Sequence, residues 1–486
     1  MNKRIFALVY GLIAIIGSIV AFMTSDSEKS LSVIGYCCTI ILFSFLLIDY
    51  RINKGFSYSA LFVLILFLFH FGQLILFTYF SNSYEHIRFL GLLEVPQSLY
   101  GFRIMTASLS ALCFGILWKA SECRKNNLRG LQFNINWINF AKRIIYATFF
   151  VKFVLDITTL TISFTSGGFA ARTFVNSFPN VLLFYGKISL LGFAILLVAL
   201  KSKPKSQNKL FVFIMGYLLL MMMSGIRSEN VGYLVVFLFI YLQSRINPLG
   251  LKQIALYSIL VFLGLTFIVA VGQFRDYSKK DVGSFMELSK ELLTKKNVVL
   301  GLFDTCGDTG YTAQEALNEY LPKYGPSKGD AYYKGIFAVI PNVAPFIVDF
   351  GKITEESSHS VKLQNAGVLN KDYENIGGSF FAEQYMNFGV FFGIIVCFLW
   401  GIFFGWVGKI SVIAFKTNNI YQLLFMIPIM LASAYWVRSY FGGGIREVTW
   451  DILLGLYFLR SMNRVRCSNI SKSFRDRPSD DDVKLL

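Results

Sequence analysis

Apolar runs near 20 residues recur along the whole chain, and each is long enough to cross a hydrocarbon core of roughly 30 Å. Backbone in lipid must satisfy its own hydrogen bonds, so runs of helix length imply a bundle of membrane-spanning helices rather than a barrel. Candidate spans lie near residues 5–23, 31–49, 58–80, 99–118, 144–164, 181–200, 210–224, 231–243, 254–272, 380–407, 420–437 and 449–460. The fold class read from this is an all-α polytopic membrane protein of about 12 transmembrane helices. Spans one to nine fill residues 1–272, a large loop fills 273–379, spans ten to twelve fill 380–460, and a disordered tail fills 461–486.

The chain carries a formal net charge of +17, although only 15% of it is charged and 55% is hydrophobic. In a soluble protein that excess would suggest nucleic acid; here its distribution explains it, and no nucleic-acid partner is expected. With the N-terminus cytoplasmic, the inner loops hold 25 Lys and Arg and the short outer loops hold 7. This positive-inside bias places both termini in the cytoplasm and residues 273–379 outside. The long loop holds 12 further Lys and Arg, which does not disturb the assignment because long loops escape the charge rule. Its stretches Ser284–Lys295 and Thr312–Leu321 read as short amphipathic helices on or over the membrane. Lys3 and Arg4 followed by the run Ile5–Met23, with no small-residue cleavage site, read as a retained first helix. The seven cysteines show neither metal spacing nor a disulfide framework.

Polar residues at membrane depth mark where chemistry could sit, because burying an ionisable group in lipid is costly. Around Ser224-Gly-Ile-Arg-Ser-Glu-Asn230 the flanking apolar runs are short, so the hairpin tip dips below the outer surface with Arg227 and Glu229. Arg438 and Arg446 flank the triplet Gly442-Gly443-Gly444 between two spans. Glycine lets backbone N–H groups approach an anion, and guanidinium groups hold phosphate oxygens in pairs. Glu383 and Asn387 share one face of the helix that leaves the loop, where a carboxylate could serve as general base. Lys187 lies under two turns into span six, deep enough to meet a phosphate. Arg275 opens the large loop, His359 is its one histidine, and Arg172 follows Gly167 and Gly168 in the third outer loop. Lys152 and Asp156, four apart in span five, read as a structural ion pair. There is no P-loop, and neither a metal site nor another cofactor is expected. The acidic Asp26 and Glu28 of the first outer loop read as solvated.

Three segments carry a resemblance: Ser224-Gly-Ile-Arg-Ser-Glu-Asn230, Gly329-Asp-Ala-Tyr-Tyr-Lys-Gly-Ile-Phe-Ala-Val-Ile-Pro341 and Ile376-Gly-Gly-Ser-Phe-Phe-Ala-Glu-Gln-Tyr-Met-Asn-Phe-Gly389. Together with the large outer loop between spans nine and ten, they resemble the O-antigen polysaccharide polymerases of the Wzy family. The resemblance implies a GT-C-like glycosyltransferase architecture in the bacterial inner membrane. It implies metal-independent transfer of a growing glycan from undecaprenyl diphosphate to a new lipid-linked repeat unit at the periplasmic face. Its partners would be that lipid-linked oligosaccharide, membrane lipids, a Wzz-type chain-length regulator and a Wzx-type flippase. Arg227, Arg438, Arg446, Arg275, Arg172, Lys187 and Asn387 would then bind the diphosphate or substrate, and Glu383, His359 or Glu229 would activate the acceptor hydroxyl. The rival readings are a polysaccharide flippase or transporter, and an O-antigen ligase.

Overall fold

The computed structural model describes residues 3–81, 93–122, 136–166, 180–224, 227–245, 298–340, 358–368, 377–417 and 419–475, with a few isolated positions besides. Side chains are described to residue 462 of the last helix. Among the described residues there is no strand. The long helices are α1 (Lys3–Met23), α2 (Glu28–Asn53), α3 (Tyr58–Phe80), α4 (Val95–Ser121), α5 (Trp137–Ser166), α6 (Asn180–Ala199), α7 (Pro204–Met222) and α8 (Arg227–Ser244). Short helices follow: α9 (Val298–Gly307), α10 (Thr309–Glu315), a π-helical turn (Ala316–Tyr320), α11 (Leu321–Tyr324), α12 (Asp330–Phe337) and α13 (His359–Asn365). The chain then forms α14 (Phe380–Thr417), α15 (Ile420–Trp436) and α16 (Phe441–Arg475).

Every sequence-predicted span falls on one of these helices except 254–272, which lies outside the described residues apart from positions 264 and 270. Seven helices, α1 to α6 and α14, contain a stretch long and apolar enough to cross a membrane; α8 and α15 hold shorter apolar stretches. The protein is thus a multi-pass helical membrane protein. The most apolar window of α3 is 78% buried within the protein and that of α1 only 22%. α3 is therefore a central post, while α1 turns side chains such as Leu12 and Ile15 outward, as a lipid-facing helix does. The last helix continues to Arg475, past the start of the tail expected to be disordered, and no Gly or Pro interrupts residues 456–475.

The long loop does not stand clear of the bundle. A Cβ added to Gly310 would lie 2.4 Å from the carbonyl oxygen of His70, and one added to Gly307 would lie 2.5 Å from the amide of Gln73. His70 is ten residues, on the order of 15 Å, from the C-terminal end of α3. The start of α10 is therefore sunk well into the bundle, and Ala313, Ala316 and Leu317 join its core. The predicted stretch Thr312–Leu321 falls on this packed segment. The stretch Ser284–Lys295 lies outside the described residues, with residue 290 excepted.

The feature that positions the site is a break in α14. Gly389 has φ 73° and ψ 178°, a conformation essentially reserved for glycine. The two halves fold against each other. A Cβ on Gly393 would touch the Tyr385 ring at 3.0 Å and the Gln384 backbone at 3.3 Å, and Phe380 and Phe404 both pack on Phe62. Residues 380–388 thus form a re-entrant half-helix, with Gly389 at the loop end of the bundle and Phe380 about 14 Å deeper. The single span expected over 380–407 is in fact this hairpin limb plus the crossing helix.

Candidate functional site

Glu383 sits on the re-entrant half-helix and is fully buried. Its carboxylate accepts the indole N–H of Trp436 at 2.7 Å and the backbone N–H of Phe441 at 2.9 Å. It therefore clamps the turn between α15 and α16 and does not lie open at a mouth. Asn387, one turn on, donates to the Glu383 carbonyl at 2.7 Å and accepts the Ala331 amide at 3.0 Å. The shared face expected for the pair is present, and Asn387 uses it to cap the start of α12. Gln384, which the sequence reading passed over, accepts a 2.5 Å bond from the Tyr332 hydroxyl.

The glycine pair before this half-helix makes room for a buried relay. A Cβ on Gly378 would lie 2.5 Å from the Ser439 carbonyl and 2.8 Å from His359 Nε2. The Ser379 amide donates to His359 Nε2 at 2.6 Å, and the Ser379 hydroxyl meets His70 Nε2 at 2.8 Å. His70 Nδ1 lies 2.9 Å from the Leu66 carbonyl, which can only accept, so the hydroxyl proton points at Nε2. Because a backbone N–H can only donate, the His359 ring proton resides on Nδ1, which is buried without a hydrogen-bond partner. Burial, then the nearby Lys362 and His70, push the His359 pKa down from 6.5 to about 3. In this state the ring is a neutral donor, and its lone pair is occupied.

The folded pKa of His359 lies below its unfolded value, so the unfolded chain takes up a proton that the folded chain refuses between about pH 6.5 and 3. The stability contributed by the neutral ring is complete above that window and is lost as pH falls through it. Thermal melting of the purified protein should drop across this range, and His359→Asn should flatten the drop. An unchanged acid limb in the variant would show that other groups set it.

The two arginines of the glycine-rich segment have different surroundings. Arg438 pairs with Asp308 at 3.3 Å, lies over the Phe69 ring and packs on Gly377. Arg446 stacks on Phe184, 4.5 Å from the ring centroid, and its Nε is buried without a hydrogen-bond partner. No acidic side chain pairs with it among the described residues. The three glycines between the arginines are not an open turn: they form the first turn of α16, in which the Gly444 amide already donates to the Tyr440 carbonyl at 3.4 Å. Arg446 follows two residues after the last of these glycines in the same helix.

Lys187 and Glu229 lie in a second, adjoining cluster. The Lys187 ammonium contacts Glu447 at 2.5 Å and Glu229 at 2.9 Å, and the Tyr233 hydroxyl approaches Glu447 at 3.4 Å. Asp451 lines the same small cavity beside Phe184 and Pro428. Both candidate roles, phosphate cation and general base, meet here in one ion pair whose carboxylates outnumber its cation. Removing one member of such a network leaves a charge uncompensated, so Lys187→Met should cost on the order of 3 kcal/mol. It should lower the amount of protein in the membrane, and Lys187→Met with Glu447→Gln should recover part of that amount. A full membrane level in the single variant would mean that the network is not structural.

Lys152 and Asp156 pair at 2.8 Å, and the Tyr217 hydroxyl joins Asp156. Asp26 pairs with Arg103 at 3.0 Å, while Arg103 also donates to the carbonyls of Ala21 in the last turn of α1 and of Thr24 just after it. Among the described residues no cluster of three His, Cys, Asp or Glu side chains could hold a metal ion. Arg172 and Arg275 lie outside the described residues, as does the side chain of Arg227, whose backbone opens α8. Sequence reasoning passed over His70, Asp308, Ser379, Glu447 and Asp451. His70 with Gln73 in an otherwise apolar helix, and Glu447 with Asp451 four apart in another, were signals of the kind that found Lys152 and Asp156.

The Glu383 clamp, the Arg438–Asp308 pair and Arg446 over Phe184 are thus the polar features that α14 and α16, with the turn before α16, bring into a multi-pass helical membrane protein. The family model for O-antigen polysaccharide polymerase Wzy matches residues 4–465. The chain belongs to that family. No curated protein matches it, and no solved structure does.

Proposed function

We propose that this chain polymerises undecaprenyl-diphosphate-linked repeat units at the periplasmic face of the inner membrane, from about twelve spans in a GT-C-like arrangement with both termini cytoplasmic. The family match over residues 4–465 carries the reading. The surroundings of the cations support a diphosphate near the start of α16. Lys187 and Arg438 are already paired with carboxylates, whereas Arg446, near the start of α16, has none among the described residues. In the reaction the acceptor hydroxyl oxygen bonds to the anomeric carbon of the growing glycan. The bond from that carbon to the phosphate oxygen breaks, and undecaprenyl diphosphate leaves with the electron pair. Arg446 stabilises the charge that develops on it. Arg438 joins once its contact with Asp308 opens, and Glu383 takes the hydroxyl proton once the turn at Phe441 moves aside.

A Wzx-type flippase would deliver the units and a Wzz-type regulator would set chain length. Glycan analysis of a deletion strain tests the reading. Surface glycan reduced to single repeats supports it; full-length chains stranded on the carrier would indicate a ligase, and units retained in the cytoplasm a flippase. Activity of the reconstituted enzyme should survive chelator, and complete loss would place it in a metal-dependent class. Topology is checked by a membrane-impermeant thiol reagent added from the periplasm. It should modify cysteine at position 323 but not at position 205, and the reverse pattern would invert the orientation.

A further inference from the structure

Helix α12 and the turns after it do not run across the top of the bundle; they descend along its side. The descent starts at the loop end, where the Gly329 amide donates to the Asn387 carbonyl at 3.1 Å. Lower down, Gly335 packs on Phe441 and Gly442, with a Cβ 3.0 Å from the Phe441 ring. Lower still, the Trp450 indole donates to the Val339 carbonyl at 3.0 Å. Trp450 is nine residues, about 13 Å, further along α16 than Phe441. On the other flank the Tyr332 hydroxyl accepts from the Trp400 indole at 3.2 Å, eleven residues past Gly389. Residues 330–340 therefore lie in the groove between the crossing half of α14 and α16.

The two faces of this segment differ. Ala331, Gly335 and Ala338 are buried against the bundle. Tyr333, Ile336, Phe337 and Ile340, spaced i, i+3, i+4 and i+7, point away from it and are 53%, 62%, 43% and 43% exposed. The charges sit at the top only: Asp330 is held by Lys334 at 2.9 Å and Lys362 at 2.7 Å, and residues 335–340 carry none. The outward stripe continues sideways into outward apolar residues of its neighbours, Phe391, Phe392 and Leu399 on α14 and Leu453 and Tyr457 on α16. Those faces belong to helices that cross or line the membrane.

We propose that residues 330–340 form a membrane-embedded re-entrant segment whose Tyr333–Ile340 stripe is seated in the hydrocarbon of the bilayer. The segment is then a wall one helix thick between lipid and the Glu383 clamp, since Phe441 touches Gly335 on one side and Glu383 on the other. A wall of that kind separates a lipid-borne substrate from the site by one small-residue contact. The inference stands on the chain being a membrane protein and is independent of what it polymerises.

The test uses full-length protein with Cys123 and Cys467 replaced by serine. Five other native cysteines, Cys37, Cys38, Cys113, Cys306 and Cys397, are buried. A bimane fluorophore is attached at Ile336→Cys or Ile340→Cys, with Phe392→Cys as the lipid-facing reference and Lys323→Cys as the water-facing one. The protein is reconstituted in phosphatidylcholine vesicles with or without brominated acyl chains. At 336 and 340 brominated lipid should cause a loss of fluorescence matching that at 392, and aqueous iodide should cause little. Iodide quenching like that at 323 would place the stripe in water. Protection from both quenchers would mean that another protein copy covers it. Either result overturns the proposal.

Discussion

Arg446→Ala, present in the membrane at the normal level, should shift surface glycan almost entirely to single repeats. Loss of one charge-stabilising donor aimed at a developing oxyanion costs on the order of 10²–10³ in rate. Arg446 is singled out because its guanidinium lies over the Phe184 ring and its Nε is buried without a hydrogen-bond partner, so the group is held in place and, among the described residues, not neutralised. Stacking also fixes the fork that meets phosphate oxygens in pairs, a geometry that an ammonium on a flexible stem does not reproduce. Arg446→Lys should therefore be impaired nearly as much as the alanine variant, although the charge is kept. Arg438→Ala should lose less in rate, because Arg438 already spends part of its charge on Asp308. That variant should also lose stability, because Asp308 is left without its cation. The measurement is the chain-length ladder, read beside a membrane immunoblot. Wild-type ladders from a normally expressed Arg446→Ala would remove the diphosphate from the start of α16.

The class of fold was legible because apolar runs of span length cannot be spent on anything but a hydrophobic environment, and eleven of the predicted spans fall on helices. The geometry of the site was not, because it depends on a turn that hydropathy averages away. Residues 380–407 are apolar apart from Glu383, Gln384 and Asn387, so a window sees one span across Gly389. The clue lay in length: residues 380–407 would make about 42 Å of helix, against a core of roughly 30 Å. Folding the first nine residues back takes Glu383 from the expected mouth to a buried clamp. Lys187, Glu229 and Glu447 show the same limit from another side. Each can be recognised as a costly intramembrane charge, but nothing in the sequence says that residues 187, 229 and 447 face one another. Whether a cation is free for a ligand or neutralised by a neighbour is decided by long-range packing.

Glu383 has two possible duties, and a pair of variants separates them. As a clamp it satisfies the Trp436 indole and the Phe441 amide. As a general base it would contribute roughly 10²–10⁴ in rate. Glu383→Gln disturbs both, since its amide NH₂ must face one of two N–H donors, and a buried donor left unsatisfied costs about 1–3 kcal/mol. The single variant should therefore show a lower membrane level together with single-repeat glycan. Adding Trp436→Phe removes one of the competing donors and leaves the Phe441 amide for the glutamine carbonyl. The double variant Glu383→Gln with Trp436→Phe should regain membrane level. If Glu383 takes the acceptor proton, its glycan stays at single repeats, because no carboxylate has been restored. If long chains return with the protein, the carboxylate is a clamp alone and the proton leaves by another route.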